Sequence, residues 1–109
     1  MKEIRGLELS VLLAVARLGD DAYGLAVRRD VSDRLAHEYS VGAIYTTLER
    51  LAEKGLVTGR MAPPTPTRGG RSRRFFRITG SGERAIHAAR NRAASEWTGI
   101  LNPVTPELA

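Results

Sequence analysis

Apolar residues recur at helical spacing in the first third of the chain. Leu9, Leu12, Leu13 and Ala16 set one stripe, and Val11, Val15 and Leu18 widen it. The spacing predicts a helix from about Leu7 to Leu18, stopped by Gly19. Asp20 or Asp21 is placed to cap a second helix, about Ala22 to Leu35. Tyr23, Ala26, Val27 and Val31 form its inner face, and Arg28, Arg29, Asp30 and Asp33 its wet one. Ser40 is the N-cap candidate for a third helix, Val41 to Lys54. Ile44, Leu48 and Leu51 repeat there at i, i+4 and i+7. Gly55 ends it by supplying a positive φ.

The period then falls to two. Leu56 to Met61 reads as a strand, and Arg73 to Thr79 as its return, with Phe76 and Ile78 inward and Arg77 outward. Arg73 and Arg77 share a face with Phe75, which is expected to pack under the hairpin. Arg74 takes the other face, with Phe76 and Ile78. Pro63, Pro64, Pro66, Gly69 and Gly70 forbid regular structure in the tip between the strands. Thr79 or Ser81 caps a fourth helix that runs to about Leu101 and stops before Asn102-Pro103.

This order predicts a mainly α protein with a small β-hairpin. It is a winged helix-turn-helix over residues 1–79, a C-terminal dimerisation helix over 80–102, and a loose tail over 103–109. With 109 residues the whole forms one compact domain.

Charge sharpens the reading. Residues 1–59 carry eight Lys/Arg against nine Asp/Glu, while residues 60–109 carry nine Arg against three Asp/Glu. All the excess positive charge therefore lies in the hairpin and the helix after it. A field of that kind suits a polyanion. Every one of these nine cations is arginine, whose planar fork favours bidentate contacts with phosphates and bases. Solubility alone makes no such choice between arginine and lysine.

The third helix has the size and polarity of a DNA-reading helix. Its outward face begins with Ser40, Gly42, Tyr45 and Thr46, which include no acid, and Glu49 and Glu53 follow a turn or more later. Entering a groove by its N-terminus, it meets DNA with hydroxyls and a positive dipole end. Tyr45 fits either a groove contact or partly buried packing. Arg50 fits a phosphate contact or local pairing with Glu49 or Glu53. On the hairpin, Arg68, Arg71, Arg73 and Arg74 are candidates for phosphates or the minor groove. The expected partner is double-stranded DNA, with half-sites about 34 Å apart for a dimer. Two rival readings are a protein-interaction module that reuses this fold and a binder of single strands or RNA.

Ile86, Ala89, Ala93, Trp97 and Ile100 make a heptad-like seam on the fourth helix. Such a seam serves either packing onto the first helix or pairing with a second copy. The alanines, which let two helices approach closely, favour a homodimer. Trp97 is placed to be a dimer anchor.

No enzyme chemistry is legible. His37 and His87 are fifty residues apart, cysteine is absent, and no nucleophile elbow, P-loop or dinucleotide motif occurs. No metal site or cofactor is expected. No apolar run approaches the ~20 residues of a membrane span. Glu3 and Glu8 break the apolar N-terminal stretch, and no cleavage site follows it, so the expected location is the cytoplasm with no membrane contact.

The stretches AYGLAV, VGAIYTTLERLAEKGLV and GGRSRRFFRITGSGERAI resemble the PadR family of bacterial transcriptional regulators. The matching features are Tyr23-Gly24, Gly42 to Val57 and Gly70 to Gly82, and the likeness spans about Leu7 to Arg90. The chain departs from the pattern in three places. Met61 or a neighbour stands where a tryptophan is common, the hairpin tip is longer and richer in proline, and Gly80-Ser81 replaces the usual acids. The length resembles the short subfamily with a single C-terminal dimerisation helix. The resemblance implies a homodimeric repressor on an inverted-repeat promoter site, released by a small molecule or another cue. It also implies aromatic residues on the last helix lining a central pocket, which makes Trp97 a candidate ligand contact.

Overall fold

The structure, a computed structural model, describes residues 3–62 and 73–100. The first helix, α1 (Gly6–Leu18), buries Val11, Leu12, Ala14 and Val15. Ala16, expected on the inner stripe, is exposed, so the buried face is centred one position away. Gly19 ends α1 with a φ of 58°.

α2 (Gly24–Leu35) starts two residues later than the spacing predicts. Its N-cap is Tyr23, with no capping side chain, and Asp20 and Asp21 lie in a preceding 3-10 turn. The reason is a backbone competitor. Phe76 N–H donates to Ala22 O at 2.8 Å, and Tyr23 bridges to Phe75, so this stretch becomes a short third edge of the hairpin. Asp20 instead pairs with Arg77 at 3.1 Å.

The link to the next helix is tied from both sides. Arg28 Nε donates to Tyr39 O at 2.6 Å, and Tyr39 N–H donates to Ser32 Oγ at 3.3 Å. α3 (Val41–Glu53) buries Ile44, Thr47, Leu48 and Leu51. Thr47 is tolerated inside because its hydroxyl donates to Ala43 O at 2.8 Å. Gly55, at a φ of 75°, lets the chain leave α3 for the hairpin.

β1 (Val57–Ala62) and β2 (Arg73–Ile78) pair antiparallel, from Val57 opposite Ile78 to Ala62 opposite Arg73. Leu56, Val57 and Phe76 close the core formed by α1, α2 and α3. Thr79 then joins three elements. Its Oγ1 accepts Gly82 N–H at 3.0 Å and its hydroxyl donates to Gly55 O at 2.7 Å. That makes Thr79, not Ser81, the cap of α4 (Gly80–Trp97).

α4 stops at Trp97, short of Leu101, because Thr98 turns extended and Gly99 takes a φ of 83°. It buries only Gly82, Ala85 and Ala89. Past Ala89, among the described residues, only Arg92 is even half-buried. No described helix is long and apolar enough to cross a membrane.

Candidate nucleic-acid interface

The N-terminal half of α3 is built as an open, acid-free edge. Ser40 Oγ accepts Ala43 N–H at 3.0 Å and so satisfies one of the free donors of the first turn. Ser40, Gly42 and Thr46 are exposed, and a Cβ placed on Gly42 meets nothing within 4 Å. Val41 is 43% exposed beside them. Sequence reasoning passed over Val41, because an apolar residue at a helix start reads as core. Spacing carries no signal for it, since Val41 stands three residues before Ile44 and seven before Leu48, in line with the buried stripe, and only its place in the first turn leaves it open. An exposed methyl pair there suits a thymine methyl in the major groove.

Tyr45 packs at its ring end and stays partly open, as both readings of it allow. It is half-buried, and a Cβ built on Gly24 would stand 2.1 Å from its Oη. Gly24 is thus the floor on which the Tyr45 ring end rests. Arg50 is exposed, with no acidic partner among the described residues.

The hairpin lies against the same side of α3. Arg74 Nη1 donates to Glu49 Oε1 at 2.6 Å, tying β2 to α3. Arg74, expected among the phosphate contacts, therefore has its fork engaged by a carboxylate. The spacing placed Glu49 away from DNA and Arg74 on the inner face with Phe76, but it does not reveal that the two faces meet. Gly59 makes room: a Cβ there would stand 2.9 Å from Arg74 Nε. Arg73 lies over the Tyr23 ring, 4.5 Å from its centroid, and Arg60 over Phe75 at 5.0 Å. Arg60 was not singled out from sequence, although its alternation with Thr58 puts it on the outer face. Arg68 and Arg71 lie outside the described residues.

The seam expected on α4 divides. Ile86 packs against the core and Ala89 is buried within the chain, which shortens the face left for a second copy. Ala93 is exposed, Trp97 is 48% exposed and Ile100 is 75% exposed. A groove of about 430 Å³ runs between the N-terminal segment and α4, lined by Ile4, Leu9, Ala89 and Ala93. Arg92 holds its rim by donating to Ile4 O at 2.9 Å. Trp97 does not line it. Among the described residues no group of three or more His, Cys, Asp or Glu gathers into a metal site.

Several solved structures share this architecture. H. salinarum RosR superposes with a TM-score of 0.70 at 20% identity, over 93% of this chain and 84% of that one. A PadR-like transcription factor from B. fragilis gives 0.65 at 21%, over 87% and 89%. Bacillus subtilis PadR, solved in complex with operator DNA, gives 0.63 at 20%, over 94% of this chain and 51% of its own. No curated protein sequence matches the chain. The profile of the transcriptional regulator PadR-like family matches residues 12–88, from the middle of α1 into α4. By that match, and with the fold to accompany it, the chain belongs to the PadR-like family of transcriptional regulators.

Proposed function

We propose that this protein regulates transcription by binding duplex DNA as a homodimer in the cytoplasm, and that it represses from an inverted-repeat promoter site. The observation that carries the reading is the exposed, acid-free start of α3, on a helix that the hairpin meets further along through Arg74 and Glu49. Ser40, Val41, Gly42 and Thr46 meet base edges or the nearest phosphates, and Arg50 and the hairpin cations that no described acid holds take the rails beside them. Residues 1–79 bind DNA, and 80–102 pair the copies. Pairing uses Ala93, Trp97 and Ile100, which the fold leaves uncovered at the end of α4. The operator complex of the B. subtilis neighbour supports this reading. A small flat molecule at the Trp97 pair releases the dimer from DNA.

The test compares the promoter duplex with its single strand and an RNA copy at two salt concentrations. Tight duplex binding that weakens steeply with salt supports the reading. Equal or stronger binding to the single-stranded forms favours the rival mode. No binding to any nucleic acid leaves a protein-interaction module.

A further inference from the structure

The hairpin carries four arginines among the described residues, and they are held in two different ways. Arg74 and Arg77 have their charge met by carboxylates, Glu49 at 2.6 Å and Asp20 at 3.1 Å. Arg60 and Arg73 have no acidic partner among the described residues. Each lies instead over an aromatic ring, Arg60 at 5.0 Å from the Phe75 centroid and Arg73 at 4.5 Å from that of Tyr23. The two rings touch, with centroids 5.5 Å apart and planes tilted by 59°. The result is a continuous row: Arg60, Phe75, Tyr23, Arg73.

Backbone pairing fixes this row. Arg60 stands directly opposite Phe75 in the hairpin register, and Tyr23 bridges to Phe75 from the other side. Three segments distant in sequence therefore place two guanidinium groups on one face. The row adjoins α3, because Gly24, next to Tyr23, is the residue that Tyr45 touches.

We propose that this row is the phosphate clamp of the hairpin. Arg60 and Arg73 take the DNA backbone, and Phe75 and Tyr23 are positioning residues that hold their guanidinium groups ready. The proposal rests on the duplex-DNA reading and names its backbone contacts. A ring face covers only the flat of a guanidinium and cancels none of its charge, so the N–H edge stays open to an oxyanion. A carboxylate takes that edge. For Arg74 and Arg77 a phosphate must displace an acid, so little is gained. For Arg60 and Arg73 nothing is displaced, and much of the side-chain freedom is already lost. Arg74 also lies over a ring, that of Phe76 at 4.9 Å, but its fork is with Glu49.

Affinity for the promoter duplex, measured against salt concentration, separates charge from positioning. Arg60→Ala and Arg73→Ala should each flatten the log–log salt slope by about 0.9 per protomer bound. Phe75→Leu keeps every charge, so the slope should stay while affinity falls about two- to five-fold. Its loss and that of Arg60→Ala should be less than additive. Removing Asp20 and Arg77 together should leave the slope unchanged. Arg60→Lys, at an exposed position, should keep the slope and lose affinity, a readout that stands even where Phe75→Leu fails to fold by circular dichroism. Wild-type slopes in both Arg60→Ala and Arg73→Ala, or wild-type affinity in Arg60→Lys and folded Phe75→Leu, overturn the clamp. A wild-type protein without salt-dependent duplex binding overturns the DNA reading itself, and the clamp with it.

Discussion

Gly24 and Gly82 are small for different reasons, and their replacement should separate the two. At Gly24 a Cβ meets the hydroxyl end of Tyr45, a half-buried ring that can swing outward. At Gly82 it meets Leu56 O at 2.3 Å, a backbone atom with nowhere to go. Gly24→Ala should therefore cost about 1–2 kcal/mol, and Tyr45→Ala in that background should recover part of it. Gly82→Ala should cost about 3 kcal/mol or more, and no neighbouring side-chain deletion should rescue it. Chemical denaturation measures both. Equal costs, or no coupling between residues 24 and 45, would contradict this packing. The Tyr-Gly pair of the sequence motif is thus a steric device: the tyrosine carries Arg73, and the glycine seats Tyr45.

At the scale of elements, Ser40 of the α3 cap lets folding be separated from the proposed DNA reading at a single residue. Ser40 caps the helix and stands at its exposed end. Ser40→Ala should lose about 1 kcal/mol of stability. Ser40→Asp keeps the cap but sets a carboxylate where a phosphate or base edge approaches, so it should melt like wild type and bind duplex DNA at least tenfold more weakly, about 1.4 kcal/mol. Wild-type DNA affinity in Ser40→Asp would remove this end of α3 from the interface. The α1–α2 contact has its own signature. The Arg17 hydrogen bond holds the Asp30 carboxyl below its ordinary value of 3.8, Arg34 adds to it, and burial opposes it. A lowered folded value means stability that is present above about pH 4 and is lost as pH falls through the folded value. Asp30→Asn should cost about 1 kcal/mol at neutral pH and flatten the acid side of the Tm profile. Parallel profiles for the two proteins would refute the linkage.

The elements themselves were legible because each carries its own period and its own stop: Gly19, Gly55 and Thr79 all end or begin elements as their chemistry demands. What sequence hid was contact between elements. Asp20 and Asp21 look like caps, but the Ala22 carbonyl is taken by β2, and the helix begins later. Arg74 looks free until β2 is seen to meet α3 at Glu49. Ile86 and Ala89 fit a dimer seam by spacing, yet the body of the same chain covers them first. Local pattern fixes local structure, whereas partner choice depends on register and on which helix face lands on which strand.

For the molecule as a whole, α4 is the element with surface to spare. Trp97 is half-exposed, so Trp97→Ala removes little from the fold of one chain. It should leave the secondary structure intact and weaken self-association at least tenfold in analytical ultracentrifugation, since an aromatic anchor at such a seam is worth about 2 kcal/mol or more. An unchanged dimer would move the interface elsewhere.

Pairing and reading come together in one experiment, cleavage protection of the duplex upstream of the protein's own coding region. Two reading helices carried by one dimer should shield two patches related by a dyad, with centres one helical turn or about 34 Å apart. Arg60→Ala should weaken both patches together without shifting either. A uniform or absent protection pattern, at protein concentrations where the pair is fully formed, would contradict a sequence-reading dimer.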